Sequence, residues 1–294
     1  MSADLIREIE SKKKDMSKGQ RQIADFILNN YEQAAYMTTV NLGRSARVSE
    51  SSVVRFAHFM GYSGYPKFHQ ALQETVRNRL TAFQRVAVSN LLIGDSEVLE
   101  KVLISDQQKI KQTLDETKRE SFNRVVNMLV EAKTVYVIGV RASSMLAQFL
   151  TLNLRMIFNN VRAIDVSSGG DVFEQLLPME KGDLLFAISF PRYSSRVVKA
   201  VKYAQQAGVT VVSLTDNPMS PIAKGADEVL YAQSDMASFV DSLVAPLSLI
   251  NAILVAISKK CPEQVSERLL RLEQIWDEYE VYELPGTPVT SVMG

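Results

Sequence analysis

Thr134-Val135-Tyr136-Val137-Ile138-Gly139-Val140-Arg141-Ala142-Ser143-Ser144 decides how the larger part of this chain folds. Its first six residues form a continuous apolar run, which predicts a strand buried on both faces. A loop follows Gly139 and opens a helix reaching to about Ile157. The same texture recurs at Val161 to Val166, Leu184 to Ser189, Val209 to Thr215 and Glu228 to Tyr231, with helical stretches between. Buried strands joined by helices predict a parallel, doubly wound sheet. In such sheets ligands sit at the C-terminal ends of the strands.

Three hydroxyl-rich loops fall at those ends. The first strand is followed by Gly139 to Ser144, the second by Ser167-Ser168-Gly169-Gly170, and the third by Ser189-Phe190-Pro191-Arg192-Tyr193-Ser194-Ser195. Two of these loops open helices, where unpaired N–H groups and the helix dipole favour an anion such as a phosphate. Ser143, Ser144, Ser168, Ser189, Ser194 and Ser195 offer hydrogen bonds, and Arg141 or Arg192 can neutralise charge. Any one of these serines is equally an ordinary helix cap. Three such loops on one edge point to an anion site.

Upstream, residues 1–80 read as helices. Ile23, Ala24, Phe26, Ile27 and Leu28 give a helical stripe after Ser17, a good N-cap. A short helix from Thr38 to Ala46 leads through Arg47-Val48 as a turn into Glu50 to Met60, with Ser49 as N-cap and Gly61 as the stop. Val53, Phe56, Ala57 and Met60 make one apolar face of that second helix. Ser51, Ser52, Arg55 and His58 make the other. A short helix, a tight turn and a helix with small polar residues and an arginine outward form the pattern of a helix-turn-helix, whose second helix enters the major groove. An amphipathic bundle helix with a solvated face has the same periodicity. Lys12-Lys13-Lys14 reads as a solvated run, and Tyr62, Tyr65 and Phe68 as core.

Charge separates the two regions. The chain has 294 residues, 46% of them hydrophobic, which is enough for two domains, and 33 basic residues balance 33 acidic ones. Residues 1–85 carry 13 Lys/Arg against 8 Asp/Glu, a balance of +5, so the neutral whole leaves −5 to the rest. A basic first third suits nucleic acid.

The run Val48-Ser49-Glu50-Ser51-Ser52-Val53-Val54-Arg55-Phe56, with Gly61-Tyr62-Ser63-Gly64-Tyr65-Pro66-Lys67-Phe68, resembles the N-terminal helix-turn-helix of RpiR-type transcription regulators. Departures are Ser52 for the common Thr, and His58-Phe59 where the family often has two basic residues. The C-terminal half resembles the SIS (sugar isomerase) domain, the usual partner of that head. Gly139 to Ser143 lies on its GxGxS loop and Ser189 to Ser195 on its SxSGxTxE loop. Here Arg141 replaces the second glycine, Pro191 and Arg192 replace Ser-Gly, Ser194 replaces Thr, and Arg196 stands where the family has Glu. The resemblance implies binding of a phosphorylated sugar or related acid, with Ser143, Ser189 and Ser194 carried over. Without that glutamate, and with both histidines (His58 and His69) upstream, isomerase chemistry is not expected.

The expectation is an all-α helix-turn-helix domain at 1–80, a linker and connecting helix at 81–117, an α/β doubly wound SIS domain at 118–282 and a flexible tail at 283–294. The protein is read as a ligand-responsive, DNA-binding regulator and not an enzyme. A sugar-phosphate isomerase-like enzyme and a regulator whose SIS domain serves only oligomerisation are the alternatives. DNA contacts are assigned to Ser49, Ser51, Ser52, Arg55, Arg44 and Lys67, and ligand contacts to Arg141, Arg192 and the six serines named above. A double-stranded operator, a small anionic metabolite and a second or fourth copy of the chain are the expected partners, with no cofactor and no metal. Connecting helices are read from Val98, Val102, Ile110 and Leu114, then from Phe122, Val125, Val126 and Leu129, after a break at Gly94-Asp95-Ser96. The final helices, Phe239 to Lys259 and Val265 to Glu280, carry wide apolar faces suited to self-association. Cys261 is read as a small, partly buried side chain near a helix end. The opening MSADLIREIE has no apolar signal core, so a cytoplasmic protein is expected. Leu243 to Ile257 is shorter than the roughly 20 apolar residues of a membrane span.

Overall fold

The computed structural model describes residues 5–77, 81, 83–86, 98–165, 172–235 and 240–282. The loop with Ser168, the break at Gly94 to Ser96 and the expected tail lie outside the described residues.

The head contains α1 (Leu5–Lys12), α2 (Lys18–Asn29), α3 (Tyr31–Ala34), α4 (Thr39–Ser45), α5 (Glu50–Phe59) and α6 (Tyr65–Arg77), with a 3-10 turn at Lys13–Asp15. Ser17 starts α2 through a reciprocal capping box with Gln20. Lys12 and Lys13 pair with Glu8 and Asp25, as a solvated run does. Val53, Phe56, Ala57 and Met60 are all buried. Phe56 meets Phe68 edge to face at 5.5 Å, Tyr62 does likewise, and Tyr65 packs beside them. Burying one such ring contributes about 1.5–3 kcal/mol. Burial also pushes the Tyr65 phenol well above its usual range, so it stays protonated and donates to the Met37 carbonyl at 2.7 Å.

The remaining elements are α7 (Val98–Glu116), α8 (Arg119–Glu131), β1 (Val135–Gly139), α9 (Ala142–Ile157), β2 (Val161–Ala163), α10 (Val172–Leu176), β3 (Leu184–Ile188), α11 (Ser195–Gln206), β4 (Thr210–Thr215), β5 (Glu228–Tyr231), α12 (Val244–Lys260) and α13 (Pro262–Glu278). All five strands are parallel, in the order β2-β1-β3-β4-β5. Alternate residues of β1, β3 and β4 feed two cores. Val135, Val137, Phe186, Ile188 and Leu214 pack against α8, α9 and α12 on one face. Tyr136, Ile138, Leu185, Ala187 and Val211 pack against α10 and α11 on the other. Arg124 of α8 grips Glu228 on the edge strand and holds its carboxyl below the usual range, chiefly through that hydrogen bond.

Three local expectations are corrected. β2 has only three residues, and Arg162 and Ala163 are exposed because this edge strand pairs with β1 alone. Ser49 stands at the N-cap of α5, but its hydroxyl binds those of Ser51 and Ser52 at 2.9 Å instead of capping the helix. In α7 the expected apolar stripe faces outward, with Val98, Ile110 and Leu114 exposed while Lys109 and Thr113 are buried. The inward face is polar because it meets a polar segment. Thr113 accepts from the Gln233 backbone N–H at 2.9 Å, and Asp106 accepts from the Ser242 hydroxyl at 2.6 Å. The Leu243 to Ile257 stretch supplies the N-cap, Leu243, and most of α12, which buries Leu249, Ile250, Ile253 and Ile257. Among the described residues no single helix is long and apolar enough to cross a membrane. Cys261 is half-buried between α12 and α13.

Candidate functional site

The strand order reverses direction at β1 and β3. Chain leaving β1 enters α9 on one face, and chain leaving β3 enters α11 on the other. Their loops part there, and a crevice opens between them. It measures about 1080 Å³.

Local sequence fixes both walls. A Cβ on Gly139 would stand 2.3 Å from the Ser143 carbonyl oxygen, so only glycine lets α9 start so close to the strand. Arg141 follows in a left-handed backbone conformation, φ 58°, and precedes the first residue of α9. In the second loop the Ser189 hydroxyl accepts from the Ser194 N–H at 3.3 Å, and its carbonyl accepts from the Thr215 hydroxyl at 2.7 Å. Tyr193 donates to Asp216 at 2.8 Å. The loop is thereby tied to the end of β4.

Every expected ligand residue among the described ones lines this crevice: Arg141, Ser143, Ser144, Ser189, Arg192, Ser194 and Ser195. Their hydroxyls are not equivalent. Ser189 is buried and braces its loop. Ser144 donates to the Arg141 carbonyl at 2.6 Å. Ser194 occupies the N-cap of α11 without a side-chain cap bond, and buried Ser143 sits in the first turn of α9. Apart from the Ser144 N–H, which donates to the Arg141 carbonyl at 2.9 Å, the first-turn N–H groups of each helix lack intrahelical acceptors. The crevice also holds four arginines, Arg85, Arg141, Arg192 and Arg196, against two aspartates, Asp165 and Asp241. An excess of cations beside two helix N-termini is the chemistry that suits an anion.

Arg196, Gln148, Tyr193 and Arg85 line the crevice without having been assigned to it. The first three had a signal: Arg196 is in the first turn of α11, Gln148 lies four and five residues beyond Ser144 and Ser143 on α9, and Tyr193 is inside the loop. Arg85 had none, being 56 positions before Arg141.

In the head, Arg44, Ser49, Ser51, Arg55 and Lys67 are exposed and Ser52 is half-buried. The Val48 N–H donates to the Gly43 carbonyl at 2.8 Å across the turn, where Arg47 has φ 58°. A Cβ on Gly43 would reach the Val48 carbonyl oxygen at 3.0 Å, so α4 and the turn approach as closely as a glycine allows. Arg55 donates to the Ser52 hydroxyl at 3.1 Å, which gathers Arg55 and three serines at the start of α5.

Comparison with known proteins agrees with this two-part structure. The helix-turn-helix domain of the rpiR family matches residues 3–79, and the SIS domain matches residues 128–256. The chain is 27% identical to an uncharacterized HTH-type transcriptional regulator of Caldanaerobacter subterraneus over 265 residues, 87% of this chain and 90% of that protein. It is 24% identical to the HTH-type transcriptional regulator HexR of Pseudomonas aeruginosa, covering 92% of this chain and 95% of that one. Among solved structures, the Vibrio vulnificus NanR protein complexed with ManNAc-6P is similar at 25% identity and a TM-score of 0.59, covering 94% of this chain and 98% of NanR. The sugar isomerase domain of an RpiR transcription factor from Sphaerobacter thermophilus is similar at 28% identity and a TM-score of 0.57, covering 59% of this chain and 97% of that domain.

Proposed function

Because the chain belongs to the RpiR-type regulators, DNA-binding transcriptional regulators that join an rpiR-family helix-turn-helix to a SIS domain, we propose that it senses a phosphorylated sugar and adjusts operator binding in response. The crevice carries this reading. It combines two helix N-termini, the Ser143 and Ser194 hydroxyls and a surplus of arginines at a sheet switch point. NanR is complexed with a sugar phosphate, which supports the same ligand class here. Arg141 and Arg192 neutralise the phosphate, and Ser144, Ser189 and Ser195 complete or brace the loops around it. A sugar-phosphate panel read by thermal shift tests the assignment. At least one member raises the melting temperature of the wild type, and Ser143→Ala with Ser194→Ala abolishes that rise. A wholly silent panel would sink the sensor reading and leave the SIS domain an oligomerisation scaffold. Turnover of a sugar phosphate by the purified protein would return the isomerase alternative.

On the DNA side, α5 enters the major groove of a double-stranded operator. Arg55 reads a base edge or phosphate, Ser49, Ser51 and Ser52 bond phosphates or bases, and Arg44 and Lys67 hold the backbone on either side. Arg55→Ala weakens operator binding by about 1–3 kcal/mol if it pairs with a guanine; equal affinity in a fluorescence-anisotropy titration would remove it from the contacts. The protein works in the cytoplasm as a homodimer or homotetramer, because a twofold pair of heads matches a palindromic operator.

A further inference from the structure

Arg85 belongs by position to the connector, yet its side chain is buried in the wall of the sensor crevice. Its Nη1 donates to the Asp241 carboxylate at 3.0 Å, and both side chains are largely shielded from water. The turn that carries it, 83–86, is fixed at its start. The Thr81 N–H donates to the Gln84 side chain at 2.7 Å, and the Gln84 N–H donates to the Thr81 hydroxyl at 3.3 Å, a capping box three residues apart. Gln84 also donates through its side-chain amide to Glu32 of α3 in the head. Two consecutive residues thus reach in different directions, Gln84 to the DNA-binding head and Arg85 into the crevice.

A guanidinium in an anion receptor serves the anion, and Asp241 is an internal carboxylate competing for it. We propose that Arg85 is a ligand-recognition residue delivered by the connector, latched on Asp241 when the crevice is empty, through which occupancy of the crevice reaches the head. The ligand half of this inference rests on the sugar-phosphate reading above. The latch half does not. A ligand phosphate entering between Arg141 and Arg192 draws Arg85 from its carboxylate, the turn moves with it, and Gln84 passes the displacement to α3. Arg85 differs in this from Arg141 and Arg192, which sit on the sensor itself.

Hydrogen exchange and calorimetry on the full-length protein test both halves. Without any ligand, Arg85→Gln and Asp241→Asn each speed exchange at residues 83–86 by about tenfold or more, since either removes the latch. The double variant, which leaves no unpaired buried charge, shows the same loss of protection if a single variant folds poorly. Calorimetric titration with N-acetylmannosamine 6-phosphate, glucose 6-phosphate and inorganic phosphate gives the other half. Arg85→Gln weakens binding by about tenfold or more, and Asp241→Asn tightens it by removing the competitor. Saturating sugar phosphate changes exchange at residues 31–34 of the wild type but not of Arg85→Gln. Unchanged protection at 83–86 in all three variants overturns the proposal, as does wild-type affinity in Arg85→Gln. If none of the three compounds binds the wild type, the sugar-phosphate reading fails and exchange alone decides the latch: deprotection upholds it, and its absence ends it.

Discussion

Arg141 holds a backbone conformation that suits glycine, with φ 58° and ψ −125°, at the position where the SIS loop it resembles carries one. A side chain there costs of order 1–3 kcal/mol, and the guanidinium that imposes it lines the crevice. Arg141→Gly is therefore expected to raise stability by about 1 kcal/mol while weakening sugar-phosphate binding. A melting curve and a titration on the same variant separate the two effects; a variant that loses both stability and affinity would show that Arg141 is unstrained. The arginine at a position where the SIS loop has glycine was visible in the sequence, but its strain was not, because only the backbone angles show a glycine-like geometry there. Arg85 was illegible for a different reason. Nothing local in 81–86 says where its side chain ends, because the crevice it enters is built from residues far along the chain.

At the level of elements, the strands and their order of appearance were plain from apolar runs, the Ser17 cap of α2 from residue type and the apolar face of α5 from periodicity, whereas the reciprocal bond from Gln20 was not read. Where periodicity failed, it failed on what covers a face. In α7 the spacing of Val98, Ile110 and Leu114 announces a helix correctly, but period alone cannot say whether the stripe is met by the same chain. Two of the three hydroxyl loops read from the sequence line the crevice, the third lying outside the described residues, while the distinct duties of Ser189, Ser144 and Ser194 needed hydrogen-bond partners. The head's α6 carries its own test. His69 is stacked on Tyr65, its Nε2 is buried without a partner among the described residues, and burial lowers its pKa. The fold thus favours the neutral ring. That contribution is complete above the ordinary histidine range and is lost as pH falls through it, because the unfolded chain takes up a proton the folded head resists. Urea unfolding from neutral to mildly acidic pH should show this loss, and His69→Gln should reduce it. A slope in that variant equal to the wild type's would remove His69 as the cause.

Across the whole molecule, the outward stripe of α7 needs an occupant. Leu99 and Leu114 are 75% and 74% exposed, and Leu103 and Ile104 lie between them. The dimer proposed above would supply a second copy of the chain to cover the stripe. Leu103→Glu with Leu114→Glu should shift the protein toward monomer in light scattering and lower operator affinity; an unchanged mass would place the contact elsewhere, with exposed Leu269 and Leu270 of α13 next in line. The connector adds a constraint of another kind. Surface linkers generally tolerate insertions because closing a longer loop costs little, but each residue added to a helical turn rotates the chain beyond it by about 100°. Gln84 and Arg85 are bound on either side of one peptide bond, so a single residue inserted between them would swing Arg85 away from Asp241 while Gln84 stayed on the head. The turn is phase-locked, and its length should be as sensitive to change as that of a core helix.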